Sequence, residues 1–79
     1  MTIISVEYNG DEPVAITAHK FEDEPGRERA LARLRAQYER MGLANEVHFL
    51  SEDELTQFTA MDQNSARQFL IGLRKQKTE

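Results

Sequence analysis

Few residues of this chain stand where they could do chemistry. Histidine, the side chain that titrates near neutral pH and the commonest metal ligand, occurs at His19 and His48 alone. A zinc site needs three or four converging ligands. Here there is neither H-x-x-x-H nor H-x-H spacing, and no cysteine to join the two. Glu22, Asp23 and Glu24 are ligand types for calcium and magnesium, but they lack the alternating positions and central glycine of a calcium loop. No G-x-S-x-G elbow presents a serine nucleophile. The scattered glycines make neither G-x-x-x-x-G-K nor G-x-G-x-x-G to cradle phosphate. With no nucleophile, base or cofactor loop to assemble, the expectation is a non-enzymatic protein that takes no cofactor.

What remains is recognition chemistry. At 100° per residue, Arg29, Arg33 and Arg40 fall within about 40° of one another on a helix. They form a basic ridge opposite an apolar stripe. Planar guanidiniums suit bidentate contacts to carboxylate or phosphate, so the ridge fits an acidic protein surface or a nucleic-acid backbone. The plainer reading is the solvated face of an amphipathic helix, with Glu28 and Glu39 as local partners. Ile71 is a second partner-surface candidate. It lies off the apolar stripe of its own segment, between Arg67 and Arg74.

A nucleic-acid reading comes from ELTQFTAMDQNSARQFLIGL, where Leu55, Met61, Ala66 and Phe69 are spaced much as the buried positions of a helix-turn-helix. Gln63, Asn64, Arg67 and Gln68 are residue types that read base edges, with Lys75 and Lys77 toward phosphates. Three positions depart from that pattern. Ala60 stands where glycine is usual, Thr59 where an apolar residue is expected, and Asp62 would face phosphates.

These groups need elements to hold them. The segment from Pro25 to Gly42 is the most clearly periodic, with Leu31, Leu34, Tyr38 and Met41 as the core-facing stripe of a helix. The acidic run before Pro25 suits the positive end of the helix dipole, and Arg40 with Gly42 suits its end. Residues 2–8 alternate as a strand, with Ile4, Val6 and Tyr8 on one face and Ile3, Ser5 and Glu7 on the other. Asn9 and Gly10 turn the chain into a second strand from Val14 to Lys20, whose Val14, Ile16 and Ala18 are expected to face one way. Asn45 to Leu50 reads as a short third strand. Ser51 and Glu54 spell a capping box for a helix over 52–59, and Asp62 or Asn64 caps a last helix with Ala66, Phe69, Leu70 and Leu73 as its stripe.

The expected fold is therefore α+β: a two-layer, three-stranded mixed sheet in the order β-β-α-β-α-α. Strand one lies in the middle and helices pack mainly on one face. Residues 1–79 are expected to form a single small domain with a thin core and a frayed tail at about 76–79. A net charge of −4 argues against a broad nucleic-acid footprint, although five arginines crowd residues 26–50 against three glutamates. The absence of cysteine, of a leader pattern and of any long apolar run predicts an unprocessed cytoplasmic protein that does not enter a membrane.

Function is expected to be the binding of a partner protein by a small regulator, adaptor or inhibitor, of the kind viruses encode as accessory factors, with a homodimer as one form it could take. The alternative is a DNA-binding regulator using the C-terminal helix pair.

Overall fold

The computed structural model describes residues 1–77. β1 (Thr2–Asn9) and β2 (Glu12–Lys20) form the expected hairpin. The turn between them holds Gly10 at φ +65°, where a side chain would be strained. α1 (Glu24–Arg40) starts on Asp23, whose carboxylate accepts the Gly26 N–H at 2.8 Å, with Pro25 in its first turn. It ends in a Schellman arrangement. Gly42 sits at φ +75°, the Leu43 N–H donates to Tyr38 O at 2.8 Å, and the Gly42 N–H donates to Glu39 O at 3.0 Å.

β3 (Val47–Phe49) is shorter than the expected 45–50. α2 (Glu52–Thr59) has the expected bounds and both halves of its capping box: the Ser51 N–H donates to Glu54 Oε1 at 2.8 Å, and the Glu54 N–H to Ser51 Oγ at 3.2 Å. α3 (Gln63–Lys77) is capped by Asp62, which accepts the Ser65 N–H at 2.8 Å. It runs into the stretch expected to fray, and residues 78 and 79 lie outside the described residues.

The class and element order are as expected, and β1 is the central strand in the order β2-β1-β3. Both ladders are antiparallel, so β2 and β3 run the same way without touching and "mixed" does not describe the hydrogen bonding. The layering also differs. Val6 and Tyr8 of β1 pack with Leu50, Leu55, Phe58, Phe69, Leu70 and Leu73, which puts α2 and α3 on one face. Ile3 packs with Ala30, Leu31, Leu34, Phe21 and Phe49, which puts α1 on the other. The sheet is the middle of three layers, because β1 is apolar enough on both sides to be covered on both.

β2 is covered less than its apolar residues suggest. Val6 stands opposite Ile16 and Ile4 opposite Ala18, so Ile16 and Ala18 share the face of α2 and α3, while the register shift at Glu7/Tyr8 leaves Val14 without a partner on β1. Yet Val14 is 59 % and Ile16 51 % exposed. A groove between α3 and β2 leaves these side chains half uncovered. Met41 likewise leaves the core stripe, at 58 % exposure, because the helix has ended before it.

Candidate functional site

α1 divides cleanly into a buried and a solvent face. Ala30, Leu31 and Tyr38 are buried against the sheet, while Arg29, Arg33 and Arg40 are all exposed. The three guanidiniums span eleven helical steps, about 17 Å at 1.5 Å per residue. Among the described residues no carboxylate stands within ion-pair distance of them. Glu28 leans toward Arg27 at 3.7 Å rather than toward the ridge. The other two arginines of the helix are spoken for elsewhere: Arg27 is largely buried, and Arg35 lies 5.8 Å from the ring centroid of Phe49. Sequence reasoning missed Lys20. The end of β2 brings it into one surface depression of about 260 Å³ with Arg29 and Arg33, where Glu22 and Asp23 also line the wall and make the charge there mixed.

Ile71 is not on an open surface. It is half-buried, and its neighbours along the same side of α3 reach for the hairpin turn. Arg67 pairs with Glu12 at 2.8 Å. Arg74 donates to Gly10 O at 3.2 Å and lies 5.2 Å from the Tyr8 ring centroid. Ile71 is therefore held between two arginines that strap the helix to the hairpin.

The base-reading candidates are gathered differently from a free recognition helix. Gln63, Asn64 and Arg67 are exposed, but they line a groove of about 570 Å³ whose other wall is β2 from Pro13 to Ile16. Gln68 and Lys75 are exposed elsewhere on α3. The Lys77 side chain lies outside what the structure describes. At the start of α3, hydrogen bonds from the Ser65 N–H and hydroxyl hold the Asp62 carboxyl below the usual carboxylate range. That keeps a negative charge at the helix entry.

The histidines do not converge, because they lie on opposite faces of the sheet. His19 stands opposite Ile3, on the α1 face, and its Nε2 is 2.9 Å from Ser5 Oγ. Ser5 is fully buried and also lies 3.2 Å from the hydroxyl of Tyr38 on α1. This chain of three polar groups ties hairpin to helix. No sequence pattern marked it beyond the position of Ser5 on the second face of β1.

His48 stands opposite Val6, on the other face, and pairs with Glu54 of α2 at 3.0 Å. Burial pushes the Glu54 carboxyl up, but hydrogen bonds from Ser51 and His48 outweigh it, and the group lies below its ordinary range. On the same face the Tyr8 hydroxyl donates to Leu70 O at 2.7 Å, and burial raises the phenol against the pull of Arg74.

Set against family models, curated proteins and solved structures, the chain matches none of them. Among the described residues no helix is long and apolar enough to cross a membrane.

Proposed function

We propose that this chain is a non-enzymatic protein-interaction module, a cytoplasmic regulator, adaptor or inhibitor, that docks the ridge of Arg29, Arg33 and Arg40 against an acidic surface of a partner protein. The carrying observation is that these three guanidiniums are exposed, aligned and without carboxylate partners among the described residues, in a chain with 14 acidic residues against 10 basic ones. A chain rich in carboxylates could have neutralised them locally. Left as forks on one rigid helix face, with Lys20 beside two of them, they present bidentate donors at fixed spacing. Charges so arranged speed encounter and fix register more than they add raw affinity, so binding should weaken as salt rises.

The test compares wild type with Arg29→Glu/Arg33→Glu/Arg40→Glu in capture from a native lysate. All three positions are exposed, so the fold should survive. The expected result is a partner retained by wild type at low salt and lost by the variant. Undiminished capture by the variant would remove the ridge from the proposal. An anisotropy titration with mixed-sequence duplex DNA at low and moderate salt tests the DNA-binding alternative. Micromolar binding that collapses with salt would replace the present reading with one based on Gln63, Asn64, Arg67, Gln68 and Lys75.

A further inference from the structure

We infer that Asn9 is a site of self-modification: the backbone nitrogen of Gly10 attacks the Asn9 side-chain amide, and the aspartate and isoaspartate that result loosen the strap between the hairpin turn and α3. The arginine ridge takes no part in this.

Asn9 stands opposite Glu12 as the last pair of the hairpin ladder, so Gly10 and Asp11 make a two-residue loop. Gly10 has φ +65° and Asp11 does not share its positive φ, which is the type II′ form. Asn9 and Gly10 are both exposed, and a side chain at Gly10 would meet nothing within 4 Å. Among the described residues the Asn9 amide group makes no hydrogen bond and the Gly10 N–H has no acceptor. The other two asparagines differ on this point. After Asn45, the Glu46 N–H donates to Leu43 O at 3.0 Å; after Asn64, the Ser65 N–H donates to Asp62 Oδ1 at 2.8 Å. Each of those nitrogens is held in place and carries a side chain beside it. Only at Asn9 is the following nitrogen both unheld and uncrowded.

The reaction is an internal acyl transfer that needs only water. The Gly10 nitrogen gives its proton to hydroxide and bonds to Asn9 Cγ, and the Cγ–NH2 bond breaks to release ammonia, which takes its third proton from water. A succinimide ring is left, favoured because the reacting atoms belong to neighbouring residues. Water then opens the ring at Cγ to give aspartate, or at the main-chain carbonyl carbon of residue 9 to give isoaspartate, whose backbone is longer by one CH2. In extended backbone the Gly10 nitrogen is not aligned on Cγ, so Asn9 must first turn out of the ladder. At the end of a strand that opening costs little. Arg74 resists it, because its Nε–H donates to Gly10 O at 3.2 Å while its guanidinium lies over the Tyr8 ring. A backbone lengthened just before Gly10 cannot keep the type II′ geometry, and it moves that carbonyl off Arg74. The coupling is reciprocal: the strap slows the reaction, and the isoaspartate product weakens the strap.

The test ages the full folded chain at neutral and at mildly alkaline pH, then digests it with trypsin and weighs the peptides. Cleavage after Lys20, Arg40 and Arg67 puts Asn9 alone in the peptide Met1–Lys20 and both other asparagines in Met41–Arg67. The expected result is that Met1–Lys20 gains the mass of OH in place of NH2, faster at the higher pH, while Met41–Arg67 stays unchanged. Electron-transfer fragmentation separates isoaspartate from aspartate by the extra backbone carbon. Asn9→Gln, which would need a six-membered ring, should abolish the gain. Arg74→Gln should speed it about threefold, the factor that one hydrogen bond of modest net worth supplies. The isolated isoaspartate form should unfold at lower urea than fresh protein, whereas Asn9→Asp, with the backbone length unchanged, should unfold close to wild type. A Met1–Lys20 peptide that keeps its mass overturns the inference, as do equal gains in the two peptides, which would mean opening of the whole chain. A rate indifferent to Arg74→Gln, or an isoaspartate form as stable as fresh protein, overturns the link to the strap.

Discussion

Ser5 is a fully buried polar side chain shared by two partners, His19 Nε2 at 2.9 Å and the Tyr38 hydroxyl at 3.2 Å. One hydroxyl can serve both: the Tyr38 O–H donates to Ser5 Oγ, and the Ser5 O–H donates to His19. Ser5→Ala strands the hydroxyl of Tyr38, a residue only 8 % exposed, and should cost about 1–3 kcal/mol. Tyr38→Phe leaves Ser5 bonded to His19 and keeps the edge-on contact of the ring with Phe49, at 5.9 Å between centroids, so it should cost only about 0.5–1.5 kcal/mol. In the double variant the stranded group is gone. The one orphan is His19, half-exposed and able to bond water. The double should then be no worse than Ser5→Ala alone, which is a coupling of about 1 kcal/mol. A domain of this length holds only about 4–12 kcal/mol in all, so urea unfolding resolves these differences as midpoint shifts at constant slope. Losses that add to within about 0.5 kcal/mol would refute the shared hydrogen bond.

Acid should act through Glu54. Its carboxyl lies below its ordinary range in the folded chain, so its contribution is full above the unfolded pKa, near 4.3, and fades as pH falls through the lower folded value. Glu54→Gln keeps a capping amide but removes the charge. The gap between wild type and this variant in urea midpoint should narrow from pH 5 toward pH 3, and a gap that widens over that range would contradict the assignment. Leu70→Ala, at a site 1 % exposed on the face shared by α2 and α3, should cost about 2–5 kcal/mol. Met41→Ala should stay within about 0.5 kcal/mol, although periodicity places both residues in apolar stripes. Comparable losses at the two sites would mean that Met41 packs in the core after all.

Local chemistry wrote most of the elements into the chain. Proline and carboxylates before α1, Gly42 after it, Ser51 with Glu54 at α2 and Asp62 at α3 each satisfy backbone groups within a few residues, so their effect is legible without knowing the fold. Helix periodicity then placed Arg29, Arg33 and Arg40 on one exposed side, because the angle between them depends on helix geometry alone. The strand order followed from connection rules acting on the same elements.

Tertiary structure decided what covers what. Ile3 and Ser5 could be assigned to a second face of β1, but that α1 closes over that face depends on how the crossover lies on the sheet. Alternation put Val14 and Ile16 on one side of a strand, and only the groove that α3 leaves beside β2 shows them half bare. Arg67 and Arg74 resembled base-reading and flanking charges until the hairpin turn came within their reach, 55 and 64 residues away in sequence. Spacing along the chain fixes angles and caps. Burial, and with it the faces left free for a partner, is settled by contacts between residues that the chain holds far apart.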